Sequence, residues 1–235
     1  MGLAEYRRKR RFGVTAEPSG DEKPRRKRSR ALVFVVQKHR ATQLHYDFRL
    51  EWDGVLWSWA VPKGPSLDPS VKRLAMQTED HPLEYARFEG IIPEEEYGGG
   101  TVMIWDTGTW VPEVPDPAAA MAKGELKFQL AGAKLRGSWV LVRTRPRSPG
   151  GKPAWLLIKH RDAFASPEDI ATMQPRSAVS RRTLAEIAWH EGGNVEKAAR
   201  GDPPAEIRRL LANPKLVARR KKGKPAVWRS HRSGS

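Results

Sequence analysis

The chain of 235 residues contains no cysteine. That excludes a disulfide framework and any thiolate-held zinc or iron–sulfur centre. A metal in this protein has to be held by imidazole and carboxylate groups. Long apolar runs are missing too. None approaches the ~18 residues of a membrane span, and Met1 leads into Arg and Lys without the apolar stretch of a secretion signal. The expectation is a soluble, cytoplasmic chain with no membrane partner. A nucleotide-phosphate loop is also absent. Gly98-Gly99-Gly100 follows Glu94-Glu95-Glu96-Tyr97 and lacks the Lys-Ser/Thr that such a loop needs, so it reads as a tight turn or a rim loop near a site.

Acid is scarce at the two ends. Residues 1–30 carry 11 Lys and Arg against 4 Asp and Glu, and residues 201–235 carry 10 against 2. Almost all of the net charge of +16 therefore sits at the termini, while the middle is nearly neutral. Basic runs at Lys23–Arg30 and Arg219–Lys224, mixed with Pro, Gly and Ser, are expected to be flexible and drawn to polyanions. They would give salt-dependent affinity for nucleic acid without reading its sequence. A near-neutral body argues against a protein that simply coats DNA.

The body reads as mainly β. Short runs rich in Val, Leu and Trp stand at Ala31–Val36, Leu44–Trp52, Val55–Val61, Arg73–Gln77, Thr101–Trp105, Leu126–Leu130, Lys134–Arg143 and Trp155–Lys159, separated by Gly, Pro and Asp turns. Asp53-Gly54 between two of them is a hairpin signal. Eight short strands with few helices between them predict a small antiparallel β-barrel, or a sandwich, with the nine tryptophans mostly in its core. Helical patterns occur at Pro117–Lys123, Pro167–Thr172, Arg182–His190 and Ala205–Ala212. The expected organisation is a basic arm over 1–30, a β-barrel domain over 31–165, and a helical and disordered basic extension over 166–235.

The segment from His39 to Asp53 carries the chemistry. From Leu44 onward it alternates, with Leu44, Tyr46, Phe48, Leu50 and Trp52 on one face and His45, Asp47, Arg49, Glu51 and Asp53 on the other. A solvated strand face is normally built from Thr, Ser, Lys and Glu. Here it offers two metal ligands followed by a guanidinium, and His39 lies six residues upstream, close enough to fold back over the strand. Metal ligands beside a fixed cation suit chemistry on a phosphate. The same two-His, one-carboxylate set, with His81 as its third member, also fits a non-haem Fe(II) oxygenase. A non-catalytic DNA-binding module is the third reading. Lys63 enters a rigid Pro-Gly-Pro turn, Arg73 opens a strand, and Pro82 holds His81 extended, with Tyr85 four residues further on.

The segments Gln37-Lys38-His39, Leu44-His45-Tyr46-Asp47-Phe48-Arg49-Leu50, Ser58-Trp59-Ala60-Val61-Pro62-Lys63-Gly64-Pro65-Ser66, Glu79-Asp80-His81-Pro82-Leu83-Glu84-Tyr85 and Phe88-Glu89-Gly90 resemble the 3′-phosphoesterase domain of bacterial DNA ligase D. The likeness runs from about Tyr6 to Arg161, and no Lys-x-Asp-Gly nucleotidyl-transfer box accompanies it. The chain is therefore similar to a stand-alone member or to a piece of a larger enzyme. The resemblance implies a small β-barrel with a cleft that heals DNA 3′ ends in bacterial non-homologous end joining, using manganese or a similar divalent ion. It implies primer–template substrates ending in a 3′-ribonucleotide or a 3′-phosphate, a nucleoid setting, and a Ku-like protein and a DNA ligase or polymerase as partners. On matching motifs, His39, His45 and Asp47 would be the metal ligands. Arg49, Lys63 and Arg73 would hold phosphate oxygens, His81 would touch the scissile phosphate, and Tyr85 would serve the phosphomonoesterase step. Arg10, Glu17 and Glu79 match further site positions. The family pattern has Asp after the Arg of its N-terminal motif, where this chain has Arg11. That departure bears on ribonucleoside resection more than on phosphate removal.

Overall fold

A computed structural model describes residues 2–21, 31–145 and 154–212. The basic runs Lys23–Arg30 and Arg219–Lys224 lie outside the described residues.

The chain opens with a short helix, α1 (Ala4–Arg8), and then enters the strands β1 (Leu32–Arg40), β2 (Leu44–Trp52), β3 (Val55–Val61) and β4 (Arg73–Gln77). A two-residue strand β5 (His81–Pro82), a 3-10 turn (Leu83–Arg87) and β6 (Gly90–Ile92) lead to the long β7 (Gly100–Pro112). After helix α2 (Pro117–Lys123) come β8 (Glu125–Gly132), β9 (Arg136–Arg143) and β10 (Trp155–Lys159). Helices α3 (Ile170–Met173), α4 (Leu184–Glu191), α5 (Val195–Ala199) and α6 (Pro204–Leu211) complete the described chain. None of the described helices is long and apolar enough to cross a membrane.

The strands pair antiparallel in the order β1-β2-β3-β4-β10-β9-β8-β7, and β7 pairs back to β1. This closes an eight-stranded antiparallel barrel, with β5 added to β3 and β6 to β7. Closure leaves the ring no open edge. The eight staves are the eight runs expected from the sequence. Strand β8 illustrates why they form: Leu126, Phe128 and Leu130 are buried while Glu125, Lys127, Gln129 and Ala131 face water. The barrel is filled by Phe34, Val36, Phe48, Leu50, Trp59, Phe128 and Trp139. Five tryptophans, Trp59, Trp105, Trp110, Trp139 and Trp155, are almost wholly buried, as core material should be.

Two strands run further than their apolar pattern. β1 continues four residues past Val36 through Gln37, Lys38, His39 and Arg40, because both of its edges are paired there, to β2 and to β7. His39 thus lies in the strand, directly opposite His45, instead of folding back over it. β7 continues through Asp106, Thr107 and Gly108, although strands usually avoid Asp and Gly. Buried Asp106 accepts hydrogen bonds from the backbone N–H groups of Lys134 (3.0 Å) and Leu135 (2.8 Å), and a Cβ at Gly108 would strike the Ala131 carbonyl at 2.2 Å. The Asp53-Gly54 hairpin turns with both residues at positive φ, 45° and 83°, as a tight two-residue turn requires.

Helix α2 starts at an Asp116 cap and ends at left-handed Gly124, placing Met121 in the core. Helix α4 opens with a Thr183–Glu186 capping box and seats Leu184, Ile187 and Ala188 in the same core, against β6 and β7. A second apolar cluster, Tyr6, Leu56, Tyr85, Phe88, Ile92 and Val102, lies outside the ring. It fixes the N-terminal segment and the 83–92 region over the outer face of β1–β3.

Phe48 is completely buried at the centre of the barrel. Phe48→Ala is expected to lower unfolding free energy by about 3–5 kcal/mol, read as a shifted urea midpoint.

Candidate metal centre and phosphate clamp

Strand pairing alone assembles the site. In the β1–β2 register His39 stands opposite His45 and Gln37 opposite Asp47. In the β2–β3 register Arg49 stands opposite Ser58, and β5 sets His81 opposite Leu56. All these polar side chains issue from the outer face of the barrel, whose inner face packs Tyr46, Phe48 and Leu50.

His39, His45 and Asp47 each offer one ligand atom, and the three atoms lie within 4.8 Å of one another. His39 Nδ1 is 3.5 Å and His45 Nε2 3.6 Å from Asp47 Oδ2. Ligand bonds of about 2.0–2.2 Å place neighbouring donors roughly 3–3.4 Å apart, so the group is close to the size of one coordinated ion. One further observation fits a divalent metal. His45 Nδ1 faces the Gln43 carbonyl at 3.1 Å, which orients the ring and leaves Nε2 for the centre. Two imidazoles and one carboxylate also leave coordination positions open.

Arg49 joins this group to the rest of the site. Its Nη2 lies 3.4 Å from Asp47 Oδ2, Nε donates to Gln37 Oε1 at 2.9 Å, and Nη1 donates to Ser58 Oγ at 2.8 Å and approaches His81 Nδ1 at 2.9 Å. Gln37 in turn donates to the carbonyls of Tyr85 (3.0 Å) and Phe88 (2.9 Å). From the N-terminal segment, Arg10 donates to Glu17 at 2.8 Å and Glu79 at 3.3 Å, and its Nη2 lies 3.3 Å from His81 Nε2. Tyr85 closes the loop by donating its hydroxyl to Glu17 at 2.9 Å.

The electrostatics follow from these contacts. Burial alone would push the Asp47 carboxyl up, but Arg49 and the two imidazoles outweigh it and hold it well below the usual carboxylate range. Burial works against a charged His45 as well, yet its hydrogen bond to Asp47 prevails and raises the ring above its ordinary value. His81 goes the opposite way. Buried between two guanidinia that can only donate, it is driven well below the ordinary histidine value. Tyr85 is pushed well above 10 by burial and by the Glu17 charge, so it remains a hydroxyl donor.

The network therefore brings together His39, His45, Asp47, Arg49, His81, Tyr85, Arg10, Glu17 and Glu79. Lys63 and Arg73 stand apart from it. Lys63 is exposed on the turn after β3, and no hydrogen bond or ion pair ties it to the described residues. Arg73 shares its strand face with core residue Ala75, opposite to the face that carries Asp47, and its Nε has no partner. Gln37 and Ser58 are the site residues to which the sequence alone assigned no role. The signal for Gln37 was its place two residues before His39, which gives both the same strand face. A cavity of about 310 Å³ lined by Trp52, Trp57, Met121 and Trp155 lies at the hairpin end of β2 and contains none of these residues.

A pH test follows from His81. Its folded-state value is depressed, so as pH falls below about 6.5 the unfolded chain takes up a proton that the folded chain refuses. Stability is thereby lost on acidification. In EDTA, the melting temperature of the wild type should drop more steeply between pH 7 and 5 than that of His81→Gln, by the equivalent of up to about 2 kcal/mol at pH 5. Parallel curves would show that His81 is not held neutral.

Comparison with known proteins shows what the chain is similar to. Residues 37–143 match the family model described as the DNA ligase D 3′-phosphoesterase domain. The chain is 54% identical over 185 residues to the multifunctional non-homologous end joining protein LigD of Pseudomonas aeruginosa, covering 77% of this chain and 22% of that protein. It is 49% identical over 144 residues to the Mycobacterium tuberculosis LigD, covering 60% and 18%, and 42% identical over 178 residues to that of Mycolicibacterium smegmatis, covering 73% and 22%. The chain thus spans about a fifth of the length of these curated relatives. Residues 37–143 are therefore the part of the chain identified, by likeness, with the DNA ligase D 3′-phosphoesterase domain.

Proposed function

We propose that this protein is a manganese-dependent phosphoesterase that heals DNA 3′ ends in non-homologous end joining. In this reading it removes a terminal 3′-phosphate and resects a 3′-terminal ribonucleoside from a primer–template. One observation carries the reading: three ligand atoms within 4.8 Å of one another, with a buried guanidinium 3.4 Å from their carboxylate. The relatives' names specify non-homologous end joining and support the pathway. A Ku-like end-binding protein, a DNA ligase or polymerase, and a nucleoid setting belong to the same proposal.

His39, His45 and Asp47 are the residues that would hold the ion, which supplies Lewis acidity and an activated water. Arg49 Nη2 has a proton left beyond its contact with Asp47, directed to a phosphate oxygen. His81 touches the scissile phosphate. Between two guanidinia the ring is neutral; an incoming phosphate dianion would offset their charge and raise its basicity, so that His81 would take up a proton from solvent and give it to the leaving oxygen. Tyr85 and Glu17 fix Arg10, and Glu79 fixes it from the other side. Lys63, exposed and unpaired among the described residues, serves the DNA backbone, and Arg73 is assigned to a phosphate oxygen on the resemblance alone.

An Fe(II) oxygenase built on His45, Asp47 and His81 is disfavoured, because His81 is enclosed by Arg10 and Arg49, which repel a cation. A non-catalytic DNA-binding module leaves the ligand cluster without a use.

A labelled primer–template ending in a 3′-phosphate, incubated with and without manganese, tests the proposal. Hydrolysis should require the metal, and His39→Ala, His45→Ala or Asp47→Ala should each lower kcat/KM by about 10³-fold or more with the far-UV spectrum retained. Full activity in any of the three would overturn the ligand assignment. Removing residues 213–235, which are rich in Lys and Arg, should weaken duplex binding and flatten its salt dependence, measured by anisotropy titration at several salt concentrations.

A further inference from the structure

The loop between β6 and β7 holds one aromatic side chain that neither core uses. Tyr97 is 54% exposed. Two cations lie by its ring, with Lys9 Nζ 4.8 Å and Arg10 Cζ 5.8 Å from the centroid. The next residue, Gly98, sits at φ 79°, where a Cβ would lie 3.6 Å from His39 Cε1. Tyr97 is therefore one residue removed from contact with a ligand ring of the candidate metal centre.

The loop is also braced. Glu96, just before Tyr97, forms an ion pair with Arg11 from the N-terminal segment. Lys197 on α5 donates to the Gly99 carbonyl at 3.3 Å and pairs with Glu94 at 3.5 Å. The Gly99 N–H returns to the Glu96 carbonyl at 2.9 Å, and a Cβ at Gly99 would strike the Pro93 carbonyl at 2.6 Å. Elements from both ends of the described chain thus hold a water-exposed ring in place. Exposed aromatics elsewhere in proteins gain little from such bracing. A ring meant to stack gains from it, because a pre-set platform loses less entropy on binding.

We propose that Tyr97 is the stacking platform for the terminal base of a DNA end whose 3′-phosphate enters the His39–His45–Asp47 site. The proposal rests on the phosphoesterase reading above and adds the group that recognises the nucleoside. Lys9 and Arg10, close to the ring, put positive charge beside the base and would attract the phosphates of that end. Stacking of this kind tolerates any base, because every base presents a π face.

The test uses the full chain and two primer–templates with a 3′-phosphate, one ending in an ordinary nucleotide and the other in an abasic nucleotide. Binding is followed by fluorescence anisotropy in EDTA, so that no turnover intervenes. The wild type should prefer the base-bearing end by about tenfold in Kd. Tyr97→Ala should bring the ratio close to one, and Tyr97→Phe should keep it. A wild type without the preference, a Tyr97→Ala protein that retains it, or a Tyr97→Phe protein that loses it as Ala does would each overturn the proposal. Hydrolysis with manganese is scored separately on the base-bearing end. If the Kd pattern holds while the phosphate stays in place, Tyr97 stands as a platform for DNA ends and the phosphoesterase reading is the one that fails.

Discussion

A guanidinium buried on the outside of a β-barrel is the constraint on which the site depends. Arg49 is 2% exposed, and a charge so removed from water is tolerated only when its donors are engaged. Asp47, Gln37, Ser58 and His81 engage them. The same charge keeps Asp47 ionised against burial and, after burial itself and together with Arg10, holds His81 below its ordinary value. One residue therefore biases two neighbouring groups in opposite directions within a few ångström, a pattern common at functional sites.

The barrel supplies what such a charge needs, a rigid row of neighbours. Antiparallel pairing fixes His39 against His45 and Arg49 against Ser58 without any loop having to fold correctly. Other parts of the site are brought in by chain that is not barrel. The N-terminal segment delivers Arg10 and Glu17, anchored by Tyr6 in the second apolar cluster. Helix α5 reaches the 93–99 loop through Lys197, and Gly201 comes close to Leu44 at the start of β2. The helices after residue 166 touch the site only through these braces, yet several of their side chains share the main core.

Much of this was legible in the sequence because it depends on period-2 alternation. β2, β3, β4 and β10 have the bounds their apolar pattern gave, and the polar face of β2 named His45, Asp47 and Arg49 directly. Legibility failed where tertiary pairing overrode composition. Gln37-Lys38-His39-Arg40 is taken into β1 by partners on both sides, and Asp106 and Gly108, poor strand formers, are carried into β7 by pairing with β1. The two-residue β5, the three-residue β6 and the short helices α1 and α5 are too brief for any period to be visible. Convergence of Arg10, Glu17 and Glu79 on His81 came only from motif likeness, since no local rule relates residues some seventy positions apart.

Arg11 occupies the place where the family pattern has Asp, and its surroundings limit what that exchange does. The side chain is 68% exposed and pairs with Glu96, while Arg10 turns inward to Glu17 and His81. A cation that stands in water gains little from such a pair, so the exchange alters stability little. Its effect is one of position. The pair joins the N-terminal segment to the loop that presents Tyr97 and in which a Cβ at Gly98 would lie 3.6 Å from His39 Cε1. A carboxylate at position 11 would face Glu96 and repel it, freeing that loop. The departure therefore acts on the rim where a terminal nucleoside would lie and leaves the ligand cluster itself untouched.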